Sequence, residues 1–174
     1  LFKQFDQSLA EAIDGGSSKA DVDEGDLPAA FASAAATLDA TYRVPFLAHA
    51  CMEPMNATAW VTDESCQVWV GTQNPLGFRY EVADAMDMDV EQVQIHQHYM
   101  GGGFGRRSMS DSAIQAAKIA RAVGGPVKLI WSREEDVRHD HYRPAVASRF
   151  RVALDDQGQI AAWENVYHEK HEPA

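Results

Sequence analysis

The run Gly101-Gly102-Gly103-Phe104-Gly105-Arg106-Arg107 brings together the residue types that can hold an anion or a flat polar ligand against the backbone. Glycines turn where a Cβ would clash and leave amides free to face a ligand. Two arginines beside them can grip oxygens in pairs. The run follows an expected strand, Val90 to Met100, and precedes an expected helix, Asp111 to Val123, whose start favours negative charge. A ligand-free turn from strand to helix would use the same glycines, so the run alone leaves both readings open.

Two further segments narrow the choice. His49-Ala50-Cys51-Met52-Glu53-Pro54 closes one apolar strand, and Thr72-Gln73-Asn74-Pro75 closes another, Cys66 to Val70. With the glycine run these segments resemble the molybdenum-binding subunit of the xanthine dehydrogenase and aldehyde oxidase family. The resemblance covers roughly Thr41 to Pro144 and rests on three motifs in the family's order. It implies that Gln73 hydrogen-bonds an oxo ligand of the metal and that Phe104 sits beside it. Gly101, Gly102, Gly103 and Gly105 would then face the cofactor. Arg106 and Arg107 would favour either its phosphates or the loop's own fold. Xanthine dehydrogenases continue GGFG with Gly-Lys-Glu, where the glutamate reads the purine. This chain has Arg106-Arg107-Ser108, which places an uncharged Ser108 at that substrate position. GGGFGRR with HACMEPMNATA is similar to the isoquinoline 1-oxidoreductase beta-subunit branch and its aldehyde-oxidising relatives.

The resemblance implies a molybdenum hydroxylase that oxidises N-heteroaromatic compounds or aldehydes with oxygen taken from water. Its cofactor would be molybdopterin cytosine dinucleotide with molybdenum, and a small [2Fe-2S] subunit would carry the electrons away. Family subunits are several times longer, and the segment bearing their glutamate base is not found here. The chain is therefore expected to be part of a larger subunit, inactive alone and without the cofactor by itself. A non-catalytic assembly module is the competing reading. A nucleotide-binding domain is a weaker one, because GGGFG lacks the G-x-G-x-x-G spacing.

Composition sets outer limits. The 174 residues, 45% of them hydrophobic, suffice for one real core or two small ones. A formal net charge of -11 argues against a nucleic-acid partner. No apolar run is long enough for membrane insertion, and no signal peptide begins at Leu1. Bacterial cytoplasm and periplasm both stay open as compartments. Cys51 and Cys66 lack metal-ligand spacing and are expected to be a reduced, buried pair.

The periodicity predicts helices over Phe2 to Ile13, Ala29 to Leu38, Pro75 to Met86 and Asp111 to Val123, with a short one opened by Ser132. Strands are expected over Ala40 to Ala48, Asn56 to Thr62, Gln67 to Val70, Val127 to Trp131, Ala147 to Leu154 and Gln159 to Tyr167. The first three of these are expected to be consecutive and antiparallel. Their interleaving favours an α+β two-layer sandwich of mixed, largely antiparallel sheet. Residues 1-39 would form a helical and linker segment, and 40-174 a partial cofactor-binding domain.

The remaining conspicuous residues have ordinary readings. His49 is expected to be hydrogen-bonded and structural, and His96 and His98 to pack or lie at the surface. His139 and His141 are expected to be architectural or surface residues. Glu53 fits a carboxylate that caps backbone amides. Trp60, Trp69, Trp131 and Trp163 all fall in strand-like runs and are expected in the core.

Overall fold

The computed structural model describes residues 7, 8, 10–13, 15 and 20–170. These fall into two units, 1–47 with 142–174 and 48–141. The expected division after residue 39 lies inside a strand. Among the described residues no helix is long and apolar enough to cross a membrane.

The central unit contains a four-stranded sheet of β2 (Asn56–Val61), β3 (Cys66–Val70), β4 (Val93–Gln97) and β5 (Val127–Ile130), in the order β4-β3-β2-β5. β2 pairs antiparallel with β3 and with β5, while β3 and β4 run parallel. A tight turn makes the first pairing local: Thr62 Oγ1 accepts from the amides of Glu64 and Ser65. The parallel pair requires a crossover, supplied by helix α2 (Pro75–Met86). Asn74 caps α2 by accepting from Gly77 N, Pro75 presets its first turn, and Asp87 ends it at φ 50°.

Helix α3 (Asp111–Val123) lies on the same face of the sheet as α2. Alternate strand residues Ala57, Ala59, Val61, Cys66, Val68 and Val70 point into this layer. Against them pack Phe78, Val82 and Met86 of α2 and the alanines 113, 116, 117 and 120 of α3. Alanines on one helix face let its backbone approach the sheet closely, and Gly124 closes the helix at φ 72°. The capping pattern at Ser132 opens α4 (Arg133–Arg138), with Ser132 Oγ accepting from Glu135 N.

The second unit contains α1 (Leu27–Ala32) and a three-stranded antiparallel sheet in the order β1-β6-β7, formed by β1 (Ala36–Val44), β6 (Ala145–Leu154) and β7 (Ile160–Lys170). The β6–β7 turn is held by Asp155 Oδ1, which accepts from Gln157 N and Gln159 N. One face buries Ala145, Ala147 and Ala153. The other carries an edge-to-face row, Tyr42–Phe150–Trp163.

The α+β class, with two helices layered on a mixed and largely antiparallel arrangement, agrees with the sequence reading. Several boundaries differ. The alanine-rich helix ends at Ala32 instead of Leu38, because pairing with β6 draws residues 36–44 into a strand against their local propensity. That strand belongs to the β1-β6-β7 sheet, so the first three strands are not consecutive neighbours. Val90–Gln92 is a 3-10 turn preceding β4. Residues 7–8 and 10–13 are helical, and the rest of the expected Phe2 to Ile13 helix lies outside the described residues. Of the four tryptophans only Trp131 is buried. Trp60 and Trp69 occupy the sheet face opposite the helices, where Trp69 stacks on His96 at 4.7 Å. The expected packing role of His96 is thus observed.

Close packing of α3 makes a specific prediction. Ala117→Leu should lower stability by about 1–3 kcal/mol through overpacking, read from urea unfolding. An unchanged midpoint would contradict the packing described.

Candidate functional site

Three loops at the ends of strands in the central unit meet around one buried side chain. They are residues 49–54, residues 71–74 after β3, and residues 98–108 after β4. Arg107 is 2% exposed. Its Nε donates to Gly102 O at 2.8 Å, Nη1 to Gly71 O at 3.4 Å and Nη2 to Glu53 O at 2.8 Å. Nη2 also lies 3.0 Å from Glu53 Oε2. The backbone of the same residue completes the junction, since Arg107 O accepts from Thr72 Oγ1 at 2.8 Å and from Gln73 N at 3.0 Å.

Arg106 is likewise buried and directed inward. Its terminal nitrogens donate to both oxygens of Asp111, at 3.0 and 2.6 Å. Its Nε sits 3.1 Å from Asp140 Oδ1 without the angle of a hydrogen bond, so that contact is an ion pair only. The two arginines therefore support the loop's own fold, and their guanidiniums are committed to protein acceptors. Asp111 also supplies the negative charge at the start of α3. A 3-10 turn, Arg106–Ser108, separates the glycine run from that helix. Of the two roles expected for Arg106 and Arg107, these contacts are those of residues that support the loop's own fold.

What remains open to a ligand is backbone and amide. Gly102 and Gly105 have φ of 98° and 103°, and Phe104 is forced to 52° between them. Positive φ is costly for Phe104 and persists only where its surroundings impose it. At Gly103 an added Cβ would come within 2.5 Å of Gln73 Oε1 and displace that side chain. Gly101 is similar, with Glu53 Cβ at 2.5 Å from the equivalent position. Among the described residues, the amides of Gly102 and Gly103 have no acceptor.

Gln73 is exposed, and its Oε1 accepts from Gly105 N at 3.0 Å. Only an oxygen can accept that proton, so the bond fixes the amide's orientation and directs Nε2 away from it. No described residue accepts from Nε2. Phe104 is 63% exposed, and Ser108 is exposed on the 3-10 turn. Gln73 and the glycine loop are thus brought together by direct contact. Cys51 is buried against the same loop, its thiol donating to Gly103 O at 3.4 Å. Burial pushes that thiol up from its ordinary value, as it does Cys66, and both cysteines are free.

Glu53 behaves as a cap. It accepts from Gly101 N at 2.7 Å and from Asn56 Nδ2 at 2.8 Å. Burial alone would raise its carboxyl, but those two donors and Arg107 prevail and hold it below the usual glutamate range. Sequence reasoning missed two residues. Thr72 bonds Arg107 O, and Asp140 receives both the Nδ1 and the backbone amide of His49. The 91 residues separating His49 from Asp140 left no local signal. His139 and His141 are mostly exposed beside Glu135 and Asp111. No described group of three or more His, Cys, Asp or Glu side chains could hold a metal ion.

A depressed Glu53 carboxyl stabilises the fold above its unfolded value, and that stabilisation is lost as pH falls through the folded value. Wild type should therefore lose loop stability below about pH 4.3. Glu53→Gln should be less stable at neutral pH and show a flatter decline over this acid range. Parallel pH-unfolding curves for the two proteins would contradict the assignment.

Residues 11–171 match the family described as molybdopterin cofactor-binding domain. The aldehyde oxidoreductase molybdenum-binding subunit PaoC of Escherichia coli K12 is 36% identical over 143 residues, covering 82% of this chain and 20% of that protein. Isoquinoline 1-oxidoreductase subunit beta of Brevundimonas diminuta is 36% identical over 122 residues, covering 70% of this chain and 15% of that one. The chain thus spans about a fifth or less of the length of these relatives. Among solved structures, the aldehyde oxidoreductase of Desulfovibrio gigas has a TM-score of 0.75 at 24% identity, covering 83% of this chain and 16% of its own. Quinoline 2-oxidoreductase of Pseudomonas putida 86 has a TM-score of 0.73 at 23% identity, covering 90% of this chain and 22% of its own. Both structural likenesses establish the fold. With the match extending over nearly the whole sequence, the chain belongs to the molybdopterin cofactor-binding domain family.

Proposed function

We propose that this chain forms part of the cofactor site of a molybdenum hydroxylase acting on aldehydes or N-heteroaromatic compounds. The observation that carries this reading is the Gln73–Gly105 hydrogen bond, which turns a free amide donor outward beside the unpaired amides of Gly102 and Gly103. A set of neutral donors suits the oxygen and sulfur acceptors of a molybdenum cofactor. The residues present therefore fit the group.

When bound, that cofactor supplies the two-electron redox centre at which oxygen from water is transferred to carbon. The chain itself supplies position. Gln73 Nε2 would donate to an oxygen acceptor of the cofactor, and the loop amides of Gly102 and Gly103 would hold further cofactor acceptors. Phe104 presents an apolar surface that shields the site and orients a flat substrate. The proposal includes the cytosine dinucleotide form of the cofactor and a small [2Fe-2S] subunit as electron acceptor. The substrate class is supported by relatives named as aldehyde and isoquinoline oxidoreductases. The 174-residue chain alone is proposed to be inactive.

In the cofactor-loaded enzyme, Gln73→Ala should slow substrate-dependent reduction of the metal by about a hundredfold to a thousandfold, the scale of one lost preorganised donor. Molybdenum content should stay near wild type. An unchanged reduction rate would contradict the role given to Gln73.

Ser108 carries no charge with which to hold a polar purine. The enzyme should prefer benzaldehyde or isoquinoline to xanthine by about a hundredfold or more in kcat/KM. Xanthine proving the best of the three would overturn the substrate class.

A further inference from the structure

A second side chain faces the glycine loop with an unused polar atom. The His49 side chain is only 8% exposed. Its Nδ1 lies 2.9 Å from Asp140 Oδ1, and its backbone amide donates to the other oxygen of the same carboxylate. Asp140 is itself 2% exposed and can only accept when ionised, so Nδ1 carries the proton. Arg106 Nε also lies 3.1 Å from Asp140 Oδ1. In the neutral ring this tautomer leaves the lone pair on Nε2. Among the described residues nothing bonds that nitrogen.

The lone pair has a defined direction. A Cβ added at Gly105 would lie 3.7 Å from His49 Nε2, so the nitrogen faces the loop where the chain runs at φ 103°. The backbone around His49 is also held in an unusual state. Ala50 adopts φ 43°, a left-handed conformation that a non-glycine residue keeps only under constraint. Arg133 braces the segment that follows by donating to the carbonyls of Cys51 and Met52. A histidine needed only to bind Asp140 would use Nδ1 and could end there. This one is clamped so that its other nitrogen points at the site.

We propose that His49 contacts the cofactor directly, its Nε2 accepting a hydrogen bond from an N–H of the pterin. This inference rests on the cofactor reading above. The metal end of such a cofactor presents oxygen and sulfur acceptors, which match the donors of Gln73 and the glycine amides. A neutral imidazole acceptor matches the other chemistry, the ring N–H and amino donors of a pterin. His49 and Gln73 thus divide the recognition between two ends of one ligand.

The test compares wild type, His49→Asn and His49→Gln as cofactor-loaded protein, reading molybdenum per polypeptide and thermal unfolding. Asparagine places a donor near the Nδ1 position, which preserves the Asp140 bond and deletes Nε2. Glutamine reaches the Nε2 position with an acceptor. H49N should lose about tenfold in cofactor retention, the worth of one hydrogen bond, while its unfolding midpoint stays close to wild type. H49Q should retain more cofactor than H49N. Loading of H49N equal to wild type would overturn the proposal. Should H49N fail to fold, the ring-nitrogen NMR shifts of wild-type His49 decide the matter. A change at Nε2 on cofactor loading supports the contact, and identical shifts in both states refute it. Wild-type protein devoid of molybdenum would instead overturn the cofactor reading itself.

Discussion

The buried guanidinium of Arg107 is the constraint on which the rest of the site depends. Removing an arginine from water is costly unless nearly every donor finds an acceptor. Here the acceptors are carbonyls of Gly71, Glu53 and Gly102, with the Glu53 carboxylate beside them. They belong to three loops far apart in sequence. Satisfying the charge therefore fixes where those loops stand relative to one another. Glu53 returns the constraint by holding Gly101 N, and Arg107 O by holding Gln73 N. The glycine amides and the Gln73 side chain inherit their positions from this network.

A similar logic operates one residue earlier. Arg106 is buried between Asp111 and Asp140, and Asp140 in turn orients His49. The two adjacent arginines thus anchor opposite sides of the glycine turn, one toward Glu53 and the other toward α3 and His49. Their positive charges are matched inside the protein by Glu53, Asp111 and Asp140. A ligand with its own anionic groups would meet dipoles and amides here, not a basic patch. That arrangement agrees with an acidic chain whose sequence carries a net charge of -11.

Much of this was legible in the sequence. Asn74-Pro75 marks the start of α2 by cap and fixed φ, and the alanine spacing of residues 113–120 marks the buried face of α3. The triple glycine followed by Phe104-Gly105 signals positive φ and close approach, and both are found. Legibility failed where long-range pairing decides. Residues 36–38 read as alanine helix until β6 is there to pair with them. Arginine beside a glycine loop reads equally as an anion grip or as a support of the loop, and only the three-dimensional surroundings reveal that its partners are internal. Trp60 and Trp163 alternate as strand residues should, but alternation cannot say which face of a sheet is covered.

The central claim is that Arg107 assembles the cofactor-facing loops through its planar fork of donors, not through charge alone. Molybdenum bound per polypeptide in folded Arg107→Lys protein tests it most directly, because lysine keeps the charge and loses the fork. The account predicts loading well below wild type with the central sheet still folded. Loading equal to wild type would contradict it.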